Sequence, residues 1–327
     1  MKSITVAELI DKKREELSLS VIAGRSGLSR KITVSDLNRP GLLLAGFRGY
    51  FPAERVQVLG MTEISYLESL SSKKRRESLD LLTSYPEMPC IIIARRLKPP
   101  RRLVRFVNER GVPLIVSGLF TNLLIHKLST YLSATLAPEM TIHGTLVDVY
   151  GVGLLITGKS GIGKSECALD LVERGHRLVA DDAVRVIRRG DILMGEPLAR
   201  DELLRHHMEI RGIGVIDIPM LFGIRGIRLH KRIEVQVDLV HWDKKRMISQ
   251  DRFGLETKVV DILGVEIPYV EVPLVPGKNV SVIAEVIAMN HLLKVMGYDT
   301  ARVFDARLRE IMQKEARKYA KLEEDTE

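Results

Sequence analysis

Residues 158–165 of this 327-residue chain have the sequence GKSGIGKS, which fits the pattern GxxxxGK[ST] of a phosphate-binding loop. The apolar run GLLIT precedes the loop, and the stretch from Lys164 to Arg174 has helical spacing and is ended by Gly175. A strand that leads into a glycine loop and then into a helix is the setting that this motif requires. The sequence therefore predicts an α/β domain in which the loop binds the phosphates of a nucleotide.

The residue types of the loop suit that chemistry. Glycines allow backbone N–H groups to converge on phosphate oxygens, and the N-terminus of the following helix adds partial positive charge. We expect Lys164 to neutralise the β and γ oxygens, and the Ser165 hydroxyl to ligate a Mg²⁺ ion shared with those phosphates. The predicted ATP- and phosphate-binding residues are Gly158, Lys159, Ser160, Gly161, Ile162, Gly163, Lys164 and Ser165.

Two adjacent carboxylates, Asp181 and Asp182, follow the apolar run RLVA. Ligands of α/β sheets bind at the carboxyl ends of strands. Successive residues of an extended chain point to opposite sides, so one carboxylate can approach the metal while the other accepts the proton of an attacking hydroxyl. A polar turn with one capping carboxylate is the alternative. His143, just before the run VDVY, is by itself a weak catalytic candidate, because a single histidine is more often structural.

Three further segments are expected to form loops. Segment 208–223, MEIRGIGVIDIPMLFG, combines Glu209 and Arg211 with two glycines and a strand-like run that ends at Asp217. This pattern suggests a ligand loop, and the alternative is a glycine-rich turn with a surface ion pair. DRFG at 251–254 and PLVPGKN at 273–279 are predicted to be mobile loops with one positive side chain each.

The length of the chain predicts two domains, because single cores stop growing efficiently near about 250–300 residues. Helical stretches and apolar runs typical of buried parallel strands alternate from residue 3 to 133, the runs being 54–60, 90–94 and 112–117. Pro138 ends the last helical stretch, so the predicted domains are 1–133 and 134–327. The predicted fold class is α/β, with a small N-terminal β/α domain followed by a P-loop kinase domain that ends in C-terminal helices.

Several runs predict the strands of the second domain. A hairpin is expected around Tyr150 and Gly151, and RLVADD, AVRVIRRGDILMG and RIEVQVDLVHW are expected to supply further strands. The stretch from Ser281 has one apolar helical stripe, and a charged helix follows Ala301.

The charge of the chain is uneven. Residues 1–133 contain 22 Lys and Arg against 12 Asp and Glu, a net charge of +10, although the whole chain carries +8. A basic domain raises a nucleic-acid hypothesis. However, KKRRE at 73–77 fits a solvated helix surface and RRLKPPRR at 95–102 is interrupted by prolines, so nucleic acid is not the expected partner. Without an apolar span or paired cysteines, a cytoplasmic enzyme with two buried, reduced thiols, Cys90 and Cys167, is expected.

Taken together and in order, these segments resemble the HPr kinase/phosphorylase family over nearly the whole chain. The resemblance rests on IHGTLVD, the P-loop followed by Glu166, VADD, EIRGIGVID with its trailing LFG, DRFG, and a loop similar to PxxPGxN. In the N-terminal half, DLNRPGLLLAGFRGYFPAERVQVLGMTEISYL is similar to the first domain of that family. The resemblance implies a catalytic domain similar to phosphoenolpyruvate carboxykinase, ATP-dependent phosphorylation of a serine of HPr or a paralogue, and phosphate-dependent dephosphorylation that yields pyrophosphate. It also implies a homo-oligomer, a hexamer.

The same resemblance implies roles for individual residues. His143, Lys164 and Asp182 would be active-site residues, with Asp182 the acid and base of both directions, Asp181 its partner and Arg252 a supporting loop residue. Ser165 and Glu209 would hold Mg²⁺. The implied catalytic loops contain Glu209, Arg211, Gly212, Gly214, Asp217, Pro273, Pro276, Gly277 and Lys278.

Three positions depart from the family pattern. Lys159 replaces an expected acidic residue, which bears on nucleotide preference, and Val275 and Lys278 stand where arginines are usual. Lysine does not reproduce the bidentate fork of arginine, so the dephosphorylating activity is the more affected. Two alternatives stay open: a P-loop kinase of a small metabolite, and a nucleotide-sensing regulator whose basic domain binds nucleic acid. The acidic pair, Asp181 and Asp182, argues against sensing alone.

Overall fold

A computed structural model describes residues 2–198, 205–241, 258–275 and 277–324 of the chain. These residues form two compact units, Met1–Pro138 and Glu139–Glu327. Each unit has its own sheets and its own buried core.

The first unit contains a five-stranded sheet with strand order β2-β7-β6-β5-β4 and a separate antiparallel pair, β1–β3. Its strands are β1 (Ile4–Thr5), β2 (Leu19–Ala23), β3 (Lys31–Ile32), β4 (Leu37–Asn38), β5 (Val56–Leu59), β6 (Ile91–Ile93) and β7 (Leu114–Ser117). Its α-helices are α1 (Val6–Lys13), α2 (Gly41–Leu44), α3 (Met61–Ser69), α4 (Ser72–Thr83), α5 (Arg101–Arg110) and α6 (Thr121–Thr135). Strands β4 to β7 pair in parallel, which confirms the parallel strands predicted within 54–60, 90–94 and 112–117.

The sheet of the first unit is buried on both faces. Ile92 packs into one apolar cluster, whereas Ile91 and Ile93 pack into the other. Alternation along a strand explains this division, and burial of both faces explains the uninterrupted apolar run. The basic run 73–77 lies on α4 and most of it is exposed, as a solvated helix surface predicts.

The second unit contains a six-stranded sheet with order β11-β9-β10-β17-β19-β18, a four-stranded sheet with order β16-β13-β12-β8, and a hairpin, β14–β15. Its strands are β8 (Glu139–His143), β9 (Thr145–Val149), β10 (Val152–Gly158), β11 (Arg177–Ala180), β12 (Ala183–Arg189), β13 (Ile192–Pro197), β14 (His207–Ile210), β15 (Gly214–Asp217), β16 (Lys231–Ile233), β17 (Val235–His241), β18 (Val259–Ile262) and β19 (Val265–Leu274). Its α-helices are α7 (Lys164–Glu173), α8 (Ile218–Phe222), α9 (Val280–Val295) and α10 (Thr300–Glu324).

Parallel pairing of β10, β17 and β19 forms the centre of the larger sheet. Helix α7 packs on one face, through Cys167, Ala168 and Leu171. The predicted hairpin is confirmed: β9 and β10 pair antiparallel, and Tyr150 (φ 52°) and Gly151 (φ 84°) form the left-handed turn between them.

The run RIEVQVDLVHW supplies strands, as predicted, but the chain breaks within it. Glu234 separates β16 from β17, and the two strands belong to different sheets. At this point the N–H of Gly153 donates to Oε2 of Glu234 at 2.8 Å, and a Cβ on Gly153 would lie 1.9 Å from the carbonyl oxygen of Arg232. The chain therefore crosses between sheets over a glycine, which a pattern of alternating side chains does not reveal. Pro273, expected in a loop, lies in β19.

Both cysteines are buried and free, as predicted. Burial raises the pKa of Cys90 to about 12 and that of Cys167 to about 11, so both are protonated thiols at neutral pH. Among the described residues no single helix is long and apolar enough to cross a membrane; Val280–Val295 and Thr300–Glu315 meet that test only as a pair, bent by 75°.

Candidate active site

The glycine loop connects the end of β10 to the start of α7. Gly158, Gly161 and Gly163 have φ angles of 140°, 73° and 105°, which residues with a Cβ seldom adopt. The first N–H groups of α7 have no partner within the helix, so they are available to an anion above the loop.

Lys164 is buried, with 6% of its surface exposed. Its Nζ donates to the carbonyl oxygens of Gly158 and Lys159, both at 3.2 Å, and lies 3.4 Å from Nε2 of His143. In the part of the chain that the structure describes, no carboxylate pairs with this ammonium group. A buried charge without a counter-ion is costly, so the geometry favours an anionic ligand at Lys164.

His143 links Lys164 to Asp182. Antiparallel pairing of β8 and β12 places His143 opposite Ala183, and Nδ1 of His143 lies 3.2 Å from Oδ1 of Asp182. Because the ammonium group of Lys164 only donates, Nε2 of His143 accepts and Nδ1 carries the proton that points at Asp182. The side chain of Asp182 is 84% exposed, so a substrate can reach it.

Asp182 has a φ of 64°, which is uncommon for a residue other than glycine. Its carbonyl oxygen accepts a hydrogen bond of 3.1 Å from the N–H of Gly144, which holds this conformation. The left-handed backbone thus belongs to the residue whose carboxylate contacts His143.

Asp181 is the more buried carboxylate of the pair. Thr145 Oγ1 donates to its Oδ1 at 2.6 Å, and Ser165 Oγ donates to its Oδ2 at 2.9 Å. Burial raises the pKa of Asp181, although these hydroxyl donors oppose the shift. Adjacent carboxylates thus have different surroundings, one bound to the loop serine and one open to solvent.

The hairpin β14–β15 brings two more charged side chains to the same place. Glu209 lies on β14 opposite Val215, Gly212 (φ 83°) lies in the turn, and Gly214 (φ 101°) begins β15. The guanidinium group of Arg211 covers Gly161, since a Cβ built there would lie 2.4 Å from Nη2.

We expect Gly161→Ala to weaken ATP binding. A left-handed backbone costs other residues about 1–2 kcal/mol, and the methyl group would also displace the guanidinium group of Arg211, so affinity should fall about tenfold. Calorimetric titration with ATP measures the change. Gly190→Ala is the matched control, because Gly190 also has a positive φ, 62°, but lies in the β12–β13 turn with no atom within 4 Å of the added methyl group. Equal ATP affinities in the two variants would contradict the expectation.

These groups surround one cavity of about 350 Å³. The predicted site residues that line it are His143, Ser160, Gly161, Gly163, Lys164, Ser165, Asp181, Asp182, Glu209 and Arg211. The predicted site residues that are described but do not line it are Gly158, Lys159, Ile162, Gly212, Gly214, Asp217, Pro273, Gly277 and Lys278. Arg252 and Pro276 lie outside the described residues.

Asp217 has a structural contact instead of a place in the cavity. Its Oδ1 accepts from the N–H of Met220 at 3.1 Å and caps α8. Sequence reasoning missed two residues of the site. Thr145 contacts Asp181, and His207 lines the cavity. The only sequence signal for Thr145 was its place in the run IHGTLVD, two residues after His143.

The donors in the cavity fit a magnesium ion better than a metal bound by protein alone. Ser165, Asp181 and Glu209 provide hydroxyl and carboxylate oxygens on one cavity. The described residues contain no cluster of three or more His, Cys, Asp or Glu side chains that could hold a metal. Magnesium is usually bound through one or two carboxylates together with substrate phosphates, so this set is sufficient.

The fold and the site define the class: an α/β protein with a glycine-rich loop between a strand and a helix, beside a carboxylate pair. A family model described as "HPr Serine kinase C-terminal domain" matches residues 134–308, and one described as "HPr Serine kinase N terminus" matches residues 4–132. The chain therefore belongs to the HPr kinase/phosphorylase family, which confirms the resemblance found in the sequence. It is an enzyme of the protein-serine kinase/phosphorylase class.

Individual relatives agree with this assignment. The HPr kinase/phosphorylase of Chloroherpeton thalassium is 46% identical over 312 residues, 94% of this chain and 90% of that protein. The HPr kinase/phosphorylase of Geobacillus kaustophilus is 45% identical over 306 residues, 93% of this chain and 96% of that protein. A solved structure of the Hpr(Ser) kinase/phosphatase from Coxiella burnetii is 32% identical, covers 50% of this chain and 98% of its own, and has a TM-score of 0.44. The assignment rests on the sequence relatives.

Proposed function

We propose that the chain transfers the γ-phosphoryl group of ATP to a serine of the phosphocarrier protein HPr, or of a paralogue, and also removes that phosphate. The observation that carries the proposal is that His143 joins the buried ammonium group of Lys164, which has no carboxylate partner among the described residues, to an exposed carboxylate, Asp182. The ammonium group of Lys164 can bind a phosphate, and the carboxylate of Asp182 can accept a proton from an incoming hydroxyl.

In the forward direction, the oxygen of the serine hydroxyl bonds to the γ-phosphorus of ATP, and ADP leaves. Asp182 takes up the proton of that hydroxyl. His143 orients Asp182 through Nδ1–H, at 3.2 Å. Lys164 and the loop amides stabilise the charge on the transferred group. Asp181, Ser165 and Glu209 would hold the Mg²⁺ ion that accompanies ATP and neutralises phosphate charge when bound.

In the reverse direction, an oxygen of inorganic phosphate attacks the phosphorus of phosphoserine. The bond from phosphorus to the serine oxygen breaks, protonated Asp182 gives its proton to that oxygen, and pyrophosphate forms. The phosphate loop then holds inorganic phosphate where a nucleotide phosphate otherwise binds. Arg252 is proposed to support these reactions, and the segment 273–278 to serve mainly dephosphorylation. In that segment Val275 removes one of the two usual cationic charges, and Lys278 keeps the other without the bidentate fork of arginine.

We propose a β/α domain at 1–133 and a catalytic domain similar to phosphoenolpyruvate carboxykinase at 134–327, with a homo-hexamer as the assembly. The ends of the two family matches, 132 and 134, support the division. Two free thiols support a cytoplasmic, reducing location.

Incubation of serine-phosphorylated HPr with the protein, Mg²⁺ and inorganic phosphate tests the two-way chemistry. We expect one pyrophosphate for each HPr dephosphorylated, because phosphate is the attacking group. Pyrophosphate is measured enzymatically, and loss of phosphate from HPr is measured by intact mass. Dephosphorylation without pyrophosphate would indicate attack by water and contradict this part of the proposal.

A further inference from the structure

A cluster of polar side chains outside the cavity joins β10, β17 and β19. The parallel register places Thr157 beside Asp238, and Asp238 beside Glu271. Thr157 Oγ1 donates a hydrogen bond of 2.8 Å to Oδ1 of Asp238. The hydroxyl of Tyr269, on β19, lies 3.1 Å from Oδ2 of Asp238 and 3.4 Å from Oε1 of Glu271.

Thr157 connects this cluster to the active site. It is 8% exposed and precedes Gly158, whose carbonyl oxygen accepts from Nζ of Lys164 at 3.2 Å. Its methyl group faces Gly144, the residue after His143, because a Cβ on Gly144 would lie 3.4 Å from Cγ2 of Thr157. A shift of Thr157 would therefore move groups that hold both Lys164 and His143.

The proton directions in the cluster follow from its donors. Nε2 of Gln236 donates to Oγ1 of Thr157 at 3.0 Å, so the Thr157 proton is directed to Asp238. Tyr269 has one proton for two carboxylates, and Glu271 has a further partner in Nζ of Lys258, at 3.6 Å. Burial, together with both carboxylates, raises the pKa of Tyr269, so the phenol stays protonated.

β19 also leads into the segment that is proposed to serve dephosphorylation. It ends at Leu274, and the segment 275–279, predicted from the sequence to be a loop, follows; Pro276 in it lies outside the described residues. Tyr269 is thus on the strand that supports that loop, while Thr157 is on the strand that supports the phosphate loop.

We propose that Thr157, Asp238 and Tyr269 are positioning residues for phosphoryl transfer. Their hydrogen bonds fix the end of β10 against β19, and so fix the phosphate loop relative to the loop 275–279. They act through Gly158 and Lys164 and do not line the cavity. The inference rests on the proposed function, in which the phosphate loop serves both directions and the segment 273–278 serves mainly dephosphorylation.

Tyr269→Phe removes the hydroxyl but keeps the ring and the Thr157–Asp238 bond. We expect kcat for phosphorolysis to fall about tenfold, while kcat for HPr phosphorylation and KM for ATP change less than about twofold. Thr157→Val removes the bond to Asp238 at nearly constant volume, and should lower kcat about tenfold in both directions. Thr157→Ser keeps the hydroxyl and should restore activity, and Tyr298→Phe, at a tyrosine that is 46% exposed, is the control.

Equal losses in both directions for Tyr269→Phe, or no loss in either, would overturn the inference, as would failure of Thr157→Ser to restore activity. A wild-type protein that does not modify HPr would contradict the proposed function instead. Hydrogen exchange of the intact protein then decides the inference without substrate. Tyr269→Phe should speed amide exchange in the peptide 270–279 more than Tyr298→Phe does, and unchanged exchange would overturn the inference.

Discussion

Asp182→Asn is expected to lower kcat for HPr phosphorylation by about 10²–10⁴-fold, the usual contribution of a positioned general base. Asparagine keeps the size of the side chain and an oxygen that can accept from Nδ1 of His143, but it does not take up the proton of the serine. It also tolerates a left-handed backbone, which matters because Asp182 has a φ of 64°. The loss should therefore come from proton transfer and not from a changed loop.

Initial rates with HPr, Mg²⁺ and ATP measure this effect, with ATP affinity measured in parallel. Affinity for ATP should be unchanged, and the phosphorolysis rate should fall as well, since the same group returns the proton. Asp191→Asn, in the exposed β12–β13 turn, is the matched control. A variant at Asp182 that keeps more than about a tenth of the activity would rule out this residue as the general base.

Lys164→Met has the second large expected effect. It removes a charge from the centre of the site, and we expect kcat/KM for ATP to fall by about 10²–10³-fold, as for loss of one preorganised charge donor. Methionine has a similar length, and Lys164 is 6% exposed, with no carboxylate partner for its ammonium group among the described residues. Removing an unpaired buried charge should leave the Tm of the free protein equal or higher.

Scanning calorimetry of the free protein distinguishes this account from simple structural damage. Reduced kcat/KM with an equal or raised Tm supports a lysine kept for an anionic ligand. A Tm several degrees below that of the wild type would instead indicate that Lys164 supports the fold.

The sequence predicted those parts of the fold that depend on local pattern. Uninterrupted apolar runs located β5, β6 and β7, and the glycine loop located β10 and α7. Each pattern has a physical cause that acts over a few residues. The apolar runs follow from burial of both faces of a parallel sheet, and the glycine loop follows from positive φ angles that glycine permits. The break between β16 and β17 depends on Gly153, some eighty residues earlier, and so it was not predicted.

The candidate site shows the same limit. Because successive side chains of an extended chain point to opposite sides, the sequence predicted different surroundings for Asp181 and Asp182. In the structure Asp181 contacts Ser165, and Asp182 contacts His143. Thr145 was missed because its contact with Asp181 depends on the pairing of β9 with β11. The Thr157–Asp238 contact joins residues 81 positions apart, and only the sheet order brings them together. The catalytic roles of these residues stay predictions until they are tested.

The most direct test of the central claim is the intact mass of HPr after incubation with the protein, ATP and Mg²⁺. The account predicts one added phosphate, located on a serine by fragmentation and absent when HPr carries alanine at that serine. ATP consumption that depends on a small metabolite, with HPr unmodified, would contradict the account and favour a small-molecule kinase.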